Sequence, residues 1–234
     1  MTPSFCPELD ALYRTRRAVG RSGRVFDHVG ALSTTQNVTI LRALMMARRP
    51  SRTLEIGLSF GGSALAIAAS HRDLQQPAER QHVAIDPFQS TVWDDCGREV
   101  LERAGLGGYV DVREAPSSTA LPALLAERPF ELIYIDGSHL FEDVFVDAYF
   151  CARLLSDDGV MLFDDCTDPH VAKALKFLTT NWQGVVAEVD LSPHRPDGQS
   201  MRYKIAKQLG KTQLRAFRRS APLPREWDAP FHDF

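Results

Sequence analysis

Short β-type runs alternate with helix-length segments from Pro50 onward, and this alternation constrains the fold more than any other feature of the sequence. The runs are TLEIG at 53–57, HVAID at 82–86, YVDVRE at 109–114, ELIYID at 131–136 and VMLFDD at 160–165. The segments between them are 62–70, 91–104, 117–127 and 139–155. Near-continuous Val, Ile and Leu runs are typical of strands buried on both faces. The alternation therefore predicts a parallel sheet wrapped by helices.

Both flanks of this region add elements. Apolar spacing predicts helices over 7–17 and 35–48, which would form an N-terminal helical cover within residues 1–50, and a further helix over 169–181. VVAEVDL at 185–191 and MRYKIAKQ at 201–208 are predicted as two final strands joined by a hairpin-type loop. Seven strands favour an α/β fold with an open, doubly wound sheet over residues 51–208.

The remaining segment, 209–234, is predicted as a C-terminal tail. It is basic and carries four aromatic residues, Phe217, Trp227, Phe231 and Phe234. Two interpretations stay open: the tail packs on a neighbouring subunit, as in a homodimer, or it docks on its own domain.

Composition narrows the class of protein. The chain has 234 residues, is 44% hydrophobic and carries a net charge of −3, which gives no support for nucleic-acid binding. Its start lacks the apolar core of a secretion signal, and no apolar run approaches the length of a membrane span. Its four cysteines lie far apart without a CxxC pair. We therefore expect reduced thiols, no structural zinc and a cytoplasmic location.

The turn after the first strand indicates the ligand. It reads E-x-G-x-x-x-G-G-S from Glu55 to Ser63, and neither G-x-G-x-x-G nor a P-loop occurs in the chain, which argues against nicotinamide cofactors and nucleoside triphosphates. An acidic residue at Glu55 suits a positively charged ligand. Asp86 ends the second strand, where a carboxylate can accept ribose hydroxyls. A nucleoside with a cationic, unphosphorylated arm is S-adenosylmethionine.

Further carboxylates follow two later strands. Asp136 follows ELIYI, and Asp164 and Asp165 follow VMLF, so the three could converge on a hard divalent cation such as Mg²⁺. The plainer alternative is that Asp136 touches only the cofactor while Asp164 or Asp165 caps a helix. His139 is a candidate base, against a simple capping or packing role. His170 is a weaker candidate.

These motifs resemble a known family. Glu55-Ile56-Gly57 with Gly61 and Ser63, Asp86, and IDGSH at 135–139 followed by LLSDDGVMLFDD are similar to class I methyltransferases. The resemblance is to methyltransferase family 24 and, more distantly, to catechol-type O-methyltransferases, over about residues 32–163. It implies a seven-stranded Rossmann-like fold with an antiparallel last strand, and methyl transfer.

The resemblance also implies roles for individual residues. Glu55 would hold the amino group of the cofactor, Ser63 its carboxylate, and Asp86 its ribose. The cofactor-binding residues implied in total are Glu55, Gly57, Ser59, Gly61, Ser63, Asp86, Ala115, Ser117 and Asp136. The implied catalytic residues are His139 and Asp136, and the metal ligands are Asp136, Asp164 and Asp165, where catechol-type enzymes have an Asp-Asn pair in place of Asp164-Asp165.

We therefore expect an S-adenosylmethionine-dependent methyltransferase that acts on a hydroxyl of a small molecule, with Mg²⁺ assistance as one option. Two alternatives remain open at this point. The first is a nucleotide-dependent oxidoreductase on the same fold. The second is a non-catalytic S-adenosylmethionine-binding protein, in which Gly57 and Asp86 would function. The residues without a function would then be Asp136, His139, Asp164 and Asp165.

Overall fold

A computed structural model describes residues 4–221, 223 and 226–234, so residues 1–3 of the expected N-terminal cover and 222, 224 and 225 of the expected tail lie outside the described residues. In chain order the helices and strands are α1 Pro7–Thr15, β1 Ala18–Val19, β2 Val25–Phe26, α2 Thr35–Arg48, β3 Thr53–Ile56, α3 Gly62–Asp73, β4 His82–Ile85, α4 Cys96–Arg103, β5 Val110–Arg113, α5 Ser117–Leu124, β6 Phe130–Ile135, α6 Phe141–Leu154, β7 Leu155–Phe163, α7 Pro169–Asn181, β8 Val186–Val189, α8 Met201–Gln208 and β9 Arg215–Arg219. Among these helices none has the length and apolarity that a membrane crossing requires.

Seven of the strands form one sheet in the order β5-β4-β3-β6-β7-β9-β8. β3, β4 and β5 pair in parallel, as do β6 and β7, whereas β9 runs antiparallel to both β7 and β8. The predicted α/β class, the seven-stranded Rossmann-like sheet and its antiparallel last strand are confirmed. Contacts divide the chain into two compact units, residues 1–117 and 118–234.

The first unit is built around α3. This helix is buried along most of its length, its small alanine side chains allow close neighbours, and α1 and α2 both pack on it. Thr34 caps α2 by accepting a hydrogen bond from the Asn37 backbone N–H at 3.1 Å. The two helices predicted for the N-terminal region are therefore present, with a two-stranded β1–β2 hairpin between them that the sequence did not indicate.

The second unit places the segment after β9 against α7. The side-chain amide of Asn181 donates to the His232 carbonyl and accepts from the His232 N–H, both at 2.8 Å. Phe234 lies edge-on to Phe177 with ring centroids 5.0 Å apart. The C-terminal segment thus contacts α7 of the same unit.

The prediction of a strand at 201–208 is wrong, because these residues form α8, and the loop before them contains a 3₁₀ turn rather than a hairpin. The apolar and polar residues of MRYKIAKQ alternate, which is a pattern typical of strands. Ser200, however, caps a helix by accepting from the Tyr203 N–H at 3.1 Å, and of the apolar side chains only Tyr203 is buried. The seventh strand is β9, inside the segment predicted as a tail.

Candidate active site

The glycine turn after β3 contains three residues with left-handed backbone, namely Gly57, Gly61 and Ser59, the last with φ of 46°. Gly57 and Gly61 have φ values of 95° and 83°, and a side chain on Gly61 would place its Cβ 2.8 Å from Val100. The Gly57 N–H donates to the Ile85 carbonyl at 2.9 Å, which ties the turn to the end of β4. Ser63 lies buried in the first turn of α3. The N–H groups at the start of a helix such as α3 can hydrogen-bond an anion.

Asp86 directly follows β4 and is only 3% exposed. One of its oxygens accepts from the Ser59 N–H at 2.7 Å and from the Gln89 amide at 2.9 Å, and the other accepts from the Phe88 N–H at 2.8 Å. A carboxylate has about four acceptor positions. Three are filled by the protein, so the position left over suits one ligand hydroxyl rather than the pair expected from the sequence.

The segment after β4 is held by side chains that sequence reasoning missed. Gln89 is fully buried and joins the Ser59 carbonyl to Asp86. Glu114 accepts from the Ser90 N–H at 2.7 Å and from Arg98 at 3.0 Å, and the Ser90 hydroxyl together with Arg98 lowers the pKa of Glu114. Only the spacing of polar residues around 86–90 hinted at this network.

Two of the predicted cofactor-binding residues lie where β5 meets α5. Ala115 is half-buried and donates its N–H to the Arg113 carbonyl at 3.1 Å, and Ser117 begins α5. Both therefore follow the carboxyl end of a parallel strand, as Gly57 and Asp86 do.

Glu55, which was expected to hold the amino group of the cofactor, lies within β3. Its side chain is fully buried within β3, and neither carboxyl oxygen has a hydrogen-bond partner among the described residues. The nearest charged neighbour is His82, whose Nε2 lies 3.5 Å from Glu55 Oε1. The side chain thus faces the interior and the first residue of β4.

In the second unit, Asp136, His139 and Asp165 bring one ligand atom each to within 4.8 Å of one another. His139 Nε2 lies 3.0 Å from Asp165 Oδ2, and the Gln213 amide donates to the other oxygen of Asp165. His139 is 48% exposed and Asp165 32% exposed, so this cluster is open to solvent. Gln213, which lies two residues before the strand that the sequence prediction missed, was not anticipated as a partner.

Asp164 is not a member of this three-residue cluster. It is 5% exposed, accepts a hydrogen bond from the Tyr134 hydroxyl, and accepts from the Asp165 N–H at 2.7 Å. Since Asp165 has φ of 49°, the two adjacent side chains diverge. The three-residue cluster thus contains His139, while Asp164 lines the same cavity as Asp136 and His139.

His170 has contacts that suit a structural role. Its N–H donates to the capping Asp168 at 2.9 Å, and its Nδ1 accepts from the Phe141 N–H at 3.2 Å at the start of α6. These bonds hold the starts of α6 and α7 together.

The arrangement defines a class of protein. The sheet has the strand order β5-β4-β3-β6-β7-β9-β8, and β9 runs antiparallel to β7. A glycine turn follows β3, and carboxylates follow β4, β6 and β7. Together these features describe a Rossmann-like methyltransferase fold. Residues 54–166 match the methyltransferase domain family known as Methyltransf_24. The match covers just under half of the chain, and over these residues the resemblance seen in the sequence is confirmed.

Curated relatives agree with this assignment. The chain is 28% identical over 148 residues to O-methyltransferase hkm8 of Aspergillus hancockii, a match that covers 63% of this chain and 54% of hkm8. It is 36% identical over 112 residues to tricin synthase 1 of Oryza sativa subsp. japonica, covering 45% of this chain and 42% of the synthase. The matches span about half the length of these relatives.

A solved structure shows the same fold. The O-methyltransferase TomG from Streptomyces achromogenes, involved in tomaymycin synthesis and solved in complex with SAM, superposes with a TM-score of 0.62 at 20% identity. The match covers 78% of this chain and 81% of TomG. At this identity the similarity extends to the fold.

Proposed function

We propose that this protein transfers a methyl group from S-adenosylmethionine to a hydroxyl group of a small molecule. The observation that carries the proposal is the family match over residues 54–166, with Gly57, Asp86 and Asp136 directly after β3, β4 and β6. The names of hkm8 and TomG as O-methyltransferases support oxygen as the acceptor atom.

The first unit fits the chemistry of this cofactor. The N–H groups at the start of α3 suit the carboxylate of the methionine arm, and the remaining acceptor position on Asp86 suits one ribose hydroxyl. The hydrogen bonds of Ser59, Phe88 and Gln89 to Asp86 hold that carboxylate in place before a ligand arrives. We therefore assign the methionine arm to the glycine turn and the nucleoside to the ends of β4 and β5.

The second unit supplies the groups that act on the acceptor. S-adenosylmethionine brings a methyl group already activated on a sulfonium, so the protein needs only to orient the acceptor, move its proton and exclude water. We propose that His139 takes the hydroxyl proton. Asp165, held by Gln213 and 3.0 Å from His139 Nε2, orients the imidazole for this task.

A divalent metal at the same residues is a second candidate, which the spacing of the ligand atoms favours. Two ligand atoms of one metal ion lie about 3 Å apart when each bond is about 2.1 Å long, and His139 and Asp165 match this separation. A set of two carboxylates and one imidazole suits Mn²⁺, Fe²⁺ or Zn²⁺ better than the Mg²⁺ that Asp136, Asp164 and Asp165 suggested.

We also propose a small-molecule partner and a cytoplasmic location. All four cysteines are buried and unpaired, which is typical of proteins from reducing compartments. An open cluster around His139 suits a small acceptor that enters from solvent.

Calorimetric titration tests the cofactor proposal. S-adenosylmethionine should bind the wild-type protein at micromolar concentration and bind Asp86→Ala at least about 100-fold more weakly. Asp27→Ala, at an exposed surface carboxylate of the same unit, is the control and should bind like wild type. A folded wild-type protein that binds NADH but not S-adenosylmethionine would favour the oxidoreductase alternative.

Product analysis tests the catalytic proposal. Incubation with S-adenosylmethionine and a panel of phenols, sugars and hydroxylated amino acids should release S-adenosylhomocysteine with at least one acceptor. Repeating the assay after chelation with EDTA distinguishes the two candidates, because a His139 base retains its activity and a metal site loses it. Tight cofactor binding with no turnover on any acceptor would favour the non-catalytic alternative.

A further inference from the structure

Gln89 is a buried glutamine of the first unit, three residues after Asp86 in the segment that follows β4. Its amide nitrogen donates to the Ser59 carbonyl at 2.8 Å and to Asp86 Oδ2 at 2.9 Å. A carbonyl oxygen can only accept a hydrogen bond, so the nitrogen of the amide, and not its oxygen, faces Ser59. The orientation of the Gln89 side chain is therefore fixed by its partners.

The oxygen end of the same amide is left without a donor. Gln89 Oε1 is buried and has no hydrogen-bond partner within the described part of the chain. It lies against the first turn of α4, where a Cβ on Gly97 would come within 2.8 Å of it. A buried carbonyl oxygen without a donor destabilises the folded state. What the fold gains from Gln89 is the pair of hydrogen bonds that its nitrogen donates.

These two hydrogen bonds hold Ser59 against Asp86. Ser59 has φ of 46°, a left-handed conformation that is unfavourable for a residue with a side chain. Its N–H donates to Asp86 Oδ2 at 2.7 Å, and its carbonyl accepts from Gln89. Ser59, Asp86 and Gln89 thus form a closed ring of three hydrogen bonds. Because Ser59 belongs to the glycine turn, the ring joins this turn to the end of β4.

The ring engages the two oxygens of Asp86 unequally. Oδ2 accepts from both Ser59 and Gln89, which fills its two acceptor positions. Oδ1 accepts only from the Phe88 N–H at 2.8 Å and keeps one position for a ligand. A ribose offers two adjacent hydroxyls, at the 2′ and 3′ carbons.

We infer that Gln89 determines the ribose specificity of the cofactor site. By filling Oδ2 it restricts Asp86 to one of the two ribose hydroxyls, and the other hydroxyl contributes little to the affinity through this carboxylate. Gln89 is then a positioning residue, because it acts on the ligand through Asp86. This inference rests on the proposed function, which assigns the nucleoside of S-adenosylmethionine to the ends of β4 and β5.

Calorimetric titration with S-adenosylhomocysteine and its 2′-deoxy and 3′-deoxy analogues tests the inference. In wild type the Kd values of the two analogues should differ by about tenfold or more, because only one of them lacks the hydroxyl that a charged acceptor binds. A smaller difference would overturn the inference, since Asp86 would then bind both hydroxyls or neither. Failure of S-adenosylhomocysteine itself to bind would refute the proposed function and this inference with it.

Gln89→Met tests whether the glutamine sets this specificity. The variant keeps the length of the side chain and removes both donors, so the ratio of the two analogue Kd values should fall to less than about a third of its wild-type value. A merely structural role would weaken all three ligands alike and leave the ratio unchanged. A ratio within about threefold of wild type in the folded variant would overturn the inference. Gln36→Met, at an exposed glutamine of α2, is the control and should match wild type.

Gly97→Ala provides a test that keeps Gln89 in place. The new Cβ would lie 2.8 Å from both Gln89 Oε1 and the Ser59 carbonyl oxygen, so the ring must shift. The ratio of the two analogue Kd values should fall in the same direction as in Gln89→Met. If Gln89→Met does not fold, an unchanged ratio in folded Gly97→Ala would overturn the inference.

Discussion

The candidate site residues of the two units differ in how deeply they are buried and in how the protein hydrogen-bonds them. In the first unit, Asp86 is 3% exposed and accepts three hydrogen bonds from its own surroundings. In the second unit, His139 is 48% exposed and Asp165 is 32% exposed, and water can hydrate both. The first set is organised before a ligand arrives, whereas the second stays accessible to solvent.

The difference follows from the energetics of polar groups. A buried carboxylate must find donors within the protein, because the cost of leaving it without partners is large. A partly exposed carboxylate–histidine pair gains little from its mutual attraction, since water screens the charges. Substitutions around Asp86 should therefore affect folding and binding together, whereas those around His139 should affect activity alone.

Asp86→Ala should have the largest effect. It leaves the Ser59 and Phe88 N–H groups and the Gln89 amide without their acceptor. Because each unsatisfied donor costs about 1–3 kcal/mol, we expect the free energy of unfolding to fall by at least about 3 kcal/mol. Urea denaturation measures this loss. Asp86→Asn keeps one oxygen acceptor and should lose less than half as much. Equal losses for Ala and Asn would show that the charge, rather than the donors, decides stability.

His139→Gln should come next and should separate activity from stability. Loss of a general base lowers turnover by about 100-fold or more. The side chain is exposed, so the melting temperature and the affinity for S-adenosylmethionine should remain at wild-type values. Steady-state kinetics with an identified acceptor, alongside calorimetry, measures all three quantities. A coupled fall in stability would mean that this cluster is as tightly organised as the surroundings of Asp86.

Gly61→Ala should have a moderate effect that isolates crowding within the turn. Both Gly61 and Gly23 have positive φ, at 83° and 89°, so an alanine is strained at either position. Only at Gly61 would the new Cβ lie 2.8 Å from a neighbour, Val100. We expect a loss of about 2–3 kcal/mol for Gly61→Ala and about 1 kcal/mol for Gly23→Ala. Similar losses would contradict a tightly packed turn.

The smallest effect should be a loss of stability at alkaline pH that comes from the buried cysteine thiols. Both units should contribute to it. Burial raises the pKa of Cys96 to about 11 in the first unit, and it also raises the pKa of Cys166 in the second. Above the ordinary thiol pKa of about 9, the unfolded chain loses these protons while the folded chain keeps them.

Stability should therefore fall as pH rises from 9 to 10, by up to about 1.4 kcal/mol per thiol. Denaturation across this pH range measures the slope. Cys96→Ala and Cys166→Ala should each make it shallower. A slope that neither variant changes would assign the alkaline loss to other groups.

The strands of the sheet were predictable wherever the residues were buried on both faces. TLEI, HVAI and FELIYI carry long apolar runs, and their register follows from the parallel pairing. The last strand was not predictable, since RAFRR buries only Ala216 and Phe217, while MRYKIAKQ shows a clearer alternation and is helical. In the segment 201–208, the helix cap supplied by Ser200 favours a helix over the strand that the alternating pattern predicts.

The candidate site was predictable to the level of strand ends but not of side-chain directions. The sequence places Asp136, Asp164 and Asp165 after neighbouring strands. It does not reveal that Asp165 has positive φ or that the Tyr134 hydroxyl donates a hydrogen bond to Asp164. Likewise, the motif that contains Glu55 gives no indication that His82 lies beside it. These features depend on tertiary contacts between residues far apart in the chain.

The position of β9 has a consequence for synthesis on the ribosome. β9 lies between β7 and β8, although it comes last in the sequence. The edge of β7 therefore stays unpaired on that side while the 52 residues from Phe163 to Arg215 are added, roughly 3–10 s at typical bacterial and eukaryotic elongation rates. During this interval β8 has no strand to join, and the exposed edge of β7 is a template for pairing with another nascent chain.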